Sequence, residues 1–348
     1  MAMIPVLTQP AQALQYRVIP LGTLGGNQSF AYGINNTGQV VGDATLPGDT
    51  SGHAFMYDGI IHDLGTLGGS NSSAWAISNA GEVVGESALT GDRNSHAFLY
   101  TQRTMLDLSK PAERGSWALG VNDRGQVVGG GDVGSGAFLY NDGASVDLGT
   151  LAGYPDNTAY GINSTGQVVG IAQDSSYSVN RAWVYNNGVM KDLGTLGGSS
   201  AGADKINDRL QIVGWANTAG DAAKHAYLYD TTMHDLGTLP GYVNSYAFDI
   251  NAIGTVVGAV EMASNARHAF VYDGTMHDLN GVVSSADGWT FTDALGINDS
   301  GWIAANATNP AIGGGRAQAF LLEPIVPEPA SLAILGWGVI GLLVRRRR

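Results

Sequence analysis

Four histidines recur in one local pattern and are the residues with the clearest potential for chemistry. Each begins a His-Ala-aromatic run, and an aspartate follows ten or eleven residues later. A metal or catalytic site needs its groups to converge within a few ångströms, whereas one histidine per repeat spreads the imidazoles through the molecule. We therefore expect each imidazole to be a buried structural group that hydrogen-bonds the aspartate of its own repeat. The expected pairs are His53 with Asp63, His96 with Asp107, His225 with Asp235, and His268 with Asp278.

Other patterns that carry catalysis are missing from the sequence. There is no cysteine, so thiolate zinc sites, disulfides and thiol nucleophiles are excluded. The pairs Gly68-Gly69 and Gly197-Gly198 lack the following Lys-Ser/Thr of a phosphate loop and are expected to be turn glycines. We predict no catalytic residue, no metal, no cofactor and no enzymatic activity. The alternative is a secreted glycosidase or lyase that uses loop carboxylates, because acidic side chains are plentiful.

The charge balance limits the partners. The chain of 348 residues has a formal net charge of −13 and only 14% charged residues. A body this acidic is repelled by nucleic acids, so nucleic-acid binding is not expected. Glycine is abundant at 51 residues, which fits many tight turns between short apolar runs.

Those runs belong to an internal repeat. An Ile-Asn step, or a close variant of it, recurs seven times at spacings of 41 to 47 residues. The steps begin at Ile34, Ile77, Val121, Ile162, Ile206, Ile250 and Ile297. No unit shows the period of 3.6 that an amphipathic helix requires, and units of this length are typical of four-stranded propeller blades.

Turn residues at fixed offsets divide each unit into four short strands. In the second unit we predict strands a to d over residues 73–78, 82–87, 96–100 and 105–108. An Asn-x-x-Gly step predicts a type I turn between strands a and b, and Leu210 replaces its glycine in the fifth unit, where we expect strain. Asp-Gly or Asn-Gly pairs predict two-residue hairpins between strands c and d, as at Asp58-Gly59 and Asn187-Gly188.

The two ends of the repeat region complement each other. The seventh unit stops after its third strand at residues 319–322, whereas residues 16–24 resemble a fourth strand that has no unit of its own. An N-terminal strand that pairs with the last blade would close a ring and cover a free sheet edge. We therefore predict an all-β fold: a seven-bladed β-propeller of four-stranded antiparallel blades over residues 16–325, closed by the N-terminal strand and followed by a C-terminal apolar helix.

The recurring His-Ala-Phe and Asp-Leu-Gly-Thr-Leu-Gly-Gly steps resemble the bacterial HAF-repeat extracellular proteins. The resemblance covers about residues 16–322, and Gly136, Arg181 and Gln318 depart from it by replacing the histidine. It implies a secreted or surface repeat protein without an assigned activity.

The C-terminal segment has three parts in order. The sequence Val326-Pro327-Glu328-Pro329 precedes 15 uncharged residues, 330–344, and then Arg345, Arg346, Arg347 and Arg348. Residues 326–348 resemble the PEP-CTERM sorting signal of Gram-negative bacteria. The resemblance implies recognition by an exosortase and cleavage near the Pro-Glu-Pro motif of a precursor held in the inner membrane, in organisms that produce exopolysaccharide. The arginine cluster is expected to stay cytoplasmic, and a plain membrane anchor is the alternative.

The first 15 residues are expected to be a leader remnant or a disordered segment. Residues 11–13 form an Ala-Gln-Ala cleavage pattern, but a basic region and a full apolar stretch do not precede it. We expect the signal peptide to begin upstream of Met1.

Connections b–c and d–a vary in length and share one face of the predicted ring, which is where binding usually resides. Aromatic residues near these connections are candidates for stacking on sugar rings, although each is equally well explained as packing a loop onto its blade. They are Tyr154, Tyr177, Trp215, Tyr242 and Trp289. We therefore expect an exported, non-enzymatic cell-surface or extracellular-matrix protein that binds polysaccharide or a surface partner, or that serves as a passive structural piece.

Overall fold

A computed structural model describes residues 14–109, 115–131, 136–284, 286–312 and 315–325. Its strands form seven antiparallel sheets of four strands each, and each sheet corresponds to one repeat. The predicted seven-bladed propeller is therefore confirmed. The innermost strand of each blade is a, and the outermost is d.

The strands follow the repeat closely. Blade 1 contains β2 (Ser29–Ile34), β3 (Val40–Thr45), β4 (Gly52–Tyr57) and β5 (Ile61–Gly65). Blade 2 contains β6 (Gly68–Ile77), β7 (Val83–Leu89), β8 (Ser95–Thr101) and β9 (Thr104–Asp107). Blade 3 contains β10 (Ser116–Val121), β11 (Val127–Gly131), β12 (Phe138–Asn141) and β13 (Ala144–Asp147). Blade 4 contains β14 (Asp156–Ile162), β15 (Val168–Gln173), β16 (Asn180–Asn186) and β17 (Val189–Asp192).

The remaining blades follow the same order. Blade 5 contains β18 (Gly197–Ile206), β19 (Ile212–Thr218), β20 (Lys224–Tyr229) and β21 (Met233–Asp235). Blade 6 contains β22 (Asn244–Ile250), β23 (Val256–Glu261), β24 (Arg267–Tyr272) and β25 (Met276–Asp278). Blade 7 contains β26 (Thr290–Ile297), β27 (Ile303–Thr308), β28 (Ala317–Pro324) and the N-terminal strand β1 (Tyr16–Pro20).

Strand β1 closes the ring as predicted. It pairs antiparallel with β28, from Tyr16 opposite Pro324 to Pro20 opposite Phe320. The pairing extends beyond both strands, because the Ile325 N–H donates to the Gln15 carbonyl at 2.8 Å. Leu14 packs against the core of blades 6 and 7. All seven blades are thus held in one ring within residues 14–325.

Strand b shows why the repeat contains Val-Val-Gly. Val40 and Val41 are fully buried on opposite faces of β3, so both faces of the blade are covered by neighbours. A Cβ atom on Gly42 would lie 1.8 Å from the Phe30 carbonyl oxygen of strand a. Only glycine fits there, because strand a bulges between Ala31 and Gly33.

The turns between strands a and b match the expected type. The Gly38 N–H donates to the Asn35 carbonyl at 3.0 Å, and Gly38 has a φ of 84°. Leu210 adopts the same left-handed conformation with a φ of 64°. A side chain with a Cβ is strained in this region, so the expectation for the fifth unit is confirmed.

The hairpins between strands c and d match the prediction in only some blades. Asn187 and Gly188 both have positive φ, as a two-residue turn requires. At Asp58-Gly59 the prediction is wrong, because Tyr57 pairs with Ile61 and the loop has three residues, of which only the glycine has positive φ.

The antiparallel order gives the ring two different ends. The a–b and c–d turns lie at one end, the turn face, and the b–c and d–a connections lie at the other, the loop face. Helix is scarce in the described ranges, where a short 3-10 turn at Ala219–Asp221 and α1 (Leu279–Val282) occur. None of the described helices could cross a membrane, and the predicted C-terminal helix lies outside the described residues.

Candidate functional site

The histidine–aspartate pairs form in all four repeats that contain them. Only the His96 imidazole is buried as expected, whereas the other three are partly exposed. Nδ1 of His53 lies 2.9 Å from an oxygen of Asp63, and the three corresponding distances are 2.7 to 2.9 Å. The same aspartate also accepts a backbone N–H two residues further on, for example from Gly65 at 2.8 Å. Each pair therefore fixes strand c to the start of the d–a connection within its own blade, which is a structural role.

Blade 4 shows how the pair is replaced. Arg181 stands where the histidine is missing, and its Nε lies 3.5 Å from Asp192.

A second set of exposed histidines contacts the c–d turns, with His62 Nε2 2.8 Å from Asp58. No group of three or more metal-ligating side chains converges anywhere in the described ranges.

Two of the five candidate loop aromatics are covered by cations. The Lys224 ammonium lies 4.7 Å from the ring centre of Trp215, and the Arg181 guanidinium lies 5.6 Å from that of Tyr154. Trp215 lies within strand β19 rather than in a loop. Both rings therefore have a face engaged by their own blade.

The other three candidates differ in exposure. Tyr242 packs on His268 with ring centres 5.5 Å apart, and Trp289 packs edge-on against Phe320 at 5.1 Å. Tyr177 is 51% exposed. The five candidates are spread over blades 4 to 7, so the structure does not bring them together in one surface.

A cavity on the ring axis opens at the loop face and gathers a different set of aromatic rings. Its volume is about 630 Å³, and strand a of every blade contributes to its wall. The aromatic residues are Tyr32, Trp75, Trp117, Tyr160 and Phe248. Tyr32 and Trp75 touch with ring centres 4.4 Å apart. Aromatic walls with a few polar groups are the usual composition of a ligand site.

Carboxylates accompany these rings. Glu86 and Asp204 line the cavity, and Asp43 accepts hydrogen bonds from the Tyr32 hydroxyl and from Ser73 behind it. Burial raises the pKa of Asp204 to about 7 and that of Asp43 to about 6. Within the described residues, Asp204 Oδ2 is buried and has no hydrogen-bond partner. Asp204 therefore gives the cavity wall a carboxyl with one oxygen that no described protein donor satisfies.

Lys205 is one of the residues that line both this cavity and a smaller one of about 240 Å³ on the turn face. Its Nζ donates to the carbonyls of Leu119 at 3.4 Å and Tyr160 at 3.5 Å, so the side chain reaches from blade 5 to blades 3 and 4. Asp249 on blade 6 accepts the Ile297 N–H at 2.8 Å. Burial raises the pKa of Asp249 to about 6, and the Lys205 charge opposes that rise.

Sequence reasoning missed this cavity, although a signal for it existed. The position directly before the Ile-Asn step is glycine or alanine in five units, but it is Lys205 in the fifth and Asp249 in the sixth. One residue earlier, Asp204 replaces a residue that is aromatic or leucine in the other units. Departures from a repeat at positions facing the axis mark the site more directly than aromatics in loops.

Comparisons with known proteins concern the tail and the fold separately. Residues 326–348 match the PEP-CTERM protein-sorting motif. The motif indicates an exported protein that is anchored in a membrane and then processed by an exosortase-type enzyme. The predicted motif residues Val326 to Pro329 and the four terminal arginines lie outside the described residues. No curated protein matches the chain in sequence.

Among solved structures, the chain is similar to YCF48 bound to D1 peptide, at 12% identity and a TM-score of 0.51 over 93% of this chain and 100% of that chain. It is also similar to the β-propeller domain of the Trilobed protease from Pyrococcus furiosus, at 14% identity and a TM-score of 0.49 over 73% of this chain and 84% of that one. At 12% identity the likeness to YCF48 shows the propeller fold alone.

Proposed function

We propose that this propeller is an exported, non-enzymatic cell-surface or extracellular-matrix protein that binds polysaccharide in the axial cavity of its loop face. The sorting motif supports export and processing. Its resemblance to signals of Gram-negative bacteria that produce exopolysaccharide supports a glycan as the ligand. The resemblance of the repeats to HAF-repeat extracellular proteins supports the same location.

The observation that carries the proposal is the combination of aromatic rings and unpaired polar groups in one cavity. Sugar rings present C–H groups on their faces and hydroxyls on their edges. The faces can stack on Trp75 and Trp117, while Glu86, Gln173 and Asp204 can accept or donate hydrogen bonds at the edges. A volume of about 630 Å³ accommodates a short stretch of a glycan chain.

The test uses a glycan array, followed by calorimetry of any glycan that binds, with the propeller of residues 14–325. Trp117→Ala should weaken binding at least about tenfold, because it removes a stacking surface of the cavity. Tyr177→Ala is the matched control and should leave the affinity unchanged. Loss of binding in the Tyr177 variant with full binding in the Trp117 variant would place the ligand on the loops instead.

A carbohydrate-active enzyme is the second candidate, and one observation favours it. Glu86 and Asp204 line the same aromatic cavity, and burial raises the pKa of both carboxyls, as a general acid requires. The binding protein should release no product from a glycan that it retains. Turnover that is lost in Glu86→Gln while binding persists would establish the enzyme.

A further inference from the structure

The sorting tail leaves the propeller from one defined end. Strand β28 begins at Ala317 beside the b–c connection and runs to Pro324 at the turn face. Pro324 lies against the a–b turn of blade 7, where a Cβ on Gly301 would be 3.7 Å from its Cγ. The next residue, Ile325, is held by its hydrogen bond to Gln15.

The distance from this fixed point to the membrane segment is short. The uncharged segment begins at residue 330, so five Cα steps of at most about 3.6 Å each separate it from Ile325, or about 18 Å in all. Strand β28 has eight residues and spans about 23 Å from the loop face to the turn face. An inverted propeller would hold Ile325 farther from the lipid than the connection can reach.

From these distances, we propose that the turn face is the membrane-facing surface of the anchored precursor and that the axial cavity opens away from the lipid. The direction of β28 points the chain out of the turn face toward the membrane. The cavity mouth is then on the far side of the ring and open to ligands before the tail is cleaved.

The charge of the turn face indicates which lipid headgroups can lie against it. Aspartates outnumber arginines in its a–b and c–d turns: Asp58, Asp123, Asp142, Asp208, Asp230, Asp273 and Asp299 stand against Arg103, Arg124 and Arg209. Anionic headgroups repel such a surface, whereas zwitterionic headgroups present an ammonium group to it. The turn face therefore faces a zwitterionic lipid surface.

The absence of cysteine from the sequence gives a direct test with single-cysteine variants of the full chain. Ser300→Cys and Ala80→Cys label the turn face of blades 7 and 2, and Ala311→Cys and Thr90→Cys label the loop face of the same blades; all four positions are exposed. Each variant carries a small fluorophore and is reconstituted through its tail into zwitterionic vesicles that contain headgroup-nitroxide lipid. Quenching should be at least about twofold stronger at the turn-face positions. The loop-face positions lie farther from the nitroxide headgroups by the length of a strand, about 23 Å.

Two further variants test the tether itself. Truncation after Ile325 should abolish quenching at every position. Insertion of about ten Gly/Ser residues after Ile325 should reduce the difference between the faces, because a flexible linker of that length lets the ring tumble. Equal quenching at both faces, stronger quenching at the loop face, no quenching of the full chain, or quenching that survives truncation would overturn the proposal.

Discussion

At the residue scale, Leu210 is a local defect in an otherwise regular repeat. Its φ of 64° is a conformation that glycine adopts in the other six a–b turns. Its side chain is 47% exposed, so little packing compensates for the strained backbone. The hydrogen bonds of Asn207 to Leu210 and Gln211 fix the turn, so Leu210 adopts the conformation that glycine has elsewhere.

Replacing Leu210 by glycine should therefore raise the free energy of unfolding by about 0.5 to 1 kcal/mol, since relief of strain exceeds the added freedom of the unfolded chain. Urea unfolding of the propeller measures the change. Gly166→Leu, the reverse change in blade 4, should lower the free energy by a similar or larger amount. A less stable Leu210→Gly variant would contradict this reading of the turn.

Buried carboxyls make stability depend on pH. Burial raises the pKa of Asp204 from 3.8 to about 7 and that of Asp249 to about 6. The folded chain then binds more protons than the unfolded chain between about pH 4 and pH 7, so these groups lower the free energy of unfolding as the pH rises through that window.

Asp204→Asn should remove part of this slope. Its stability relative to the parent should increase from pH 4 to pH 8 by at least about 1 kcal/mol, the equivalent of about one pKa unit. At each pH, the free energy of unfolding from urea titration of the variant is compared with that of the parent. The difference isolates the contribution of Asp204 from those of other carboxylates, such as Asp49, whose pKa is lowered by hydrogen bonds from Asn27. Parallel pH profiles for the two chains would show that the Asp204 carboxyl is not perturbed.

Residues of the cavity were harder to predict than the histidine pairs for a physical reason. His53 and Asp63 lie on adjacent strands of one blade, so the repeat alone places them together. Glu86 and Asp204 come from blades 2 and 5 and line one cavity only because the ring closes. Their position in a common wall depends on the angle between blades, which a sequence repeat does not encode.

At the element scale, the Asn-x-x-Gly turn joins the blades as well as reversing the chain. The Asn122 amide nitrogen donates to the Asn163 carbonyl of the next blade at 3.0 Å, and its Oδ1 accepts from the N–H groups of Arg124 and Gln126. Equivalent amide-to-carbonyl bonds of 3.0 to 3.4 Å link six of the seven blades to the next one. Blade 2 lacks the donor because Ser78 stands in its place.

Ser78→Asn should supply the missing donor to the Asn122 carbonyl and stabilise the propeller by about 1 kcal/mol, the typical net worth of one hydrogen bond. The midpoint of urea unfolding measures the gain. Asn122→Ala is the matched loss and should cost about 2 kcal/mol or more, because the buried Asn163 carbonyl loses its donor and the partly buried N–H groups of Arg124 and Gln126 lose their acceptor. A destabilised Ser78→Asn variant would show that the bond does not form between blades 2 and 3.

Another element-scale contact was not predicted at all. Asp49 of the b–c connection accepts the Asn27 N–H of the d–a connection at 2.7 Å. Asp92 and Asp221 accept the equivalent N–H groups of Ser70 and Ser199, which lie near the start of strand a in blades 2 and 5. All three aspartates have positive φ and follow a glycine. The Gly-Asp step 22 residues after the partner was visible in the sequence, but each connection looked like an independent loop when it was considered alone.

At the scale of the whole molecule, seven sheets that cannot cover their own faces are held in one ring. Blade 7 is completed by β1, and its core combines residues from both chain ends, such as Tyr16 and Phe320. The sequence predicted this closure because one unit lacked a fourth strand and one strand lacked a unit. It did not predict from which face of the ring the C-terminal tail departs, since that depends on the direction of β28 in the closed ring.

The most direct test of the closed ring is amide hydrogen exchange in β28 of an Ile19→Pro variant. Leu21 donates to the Ala319 carbonyl, so by alternation the Ile19 N–H faces β28 and the Val18 N–H faces away. Ile19→Pro should abolish protection of the outer amides of residues 317–324 and lower the free energy of unfolding by about 3 kcal/mol. Val18→Pro, the matched control, should keep most of that protection because its N–H has no partner in the sheet. Unchanged protection of β28 in the Ile19→Pro variant would contradict a ring closed by the first strand.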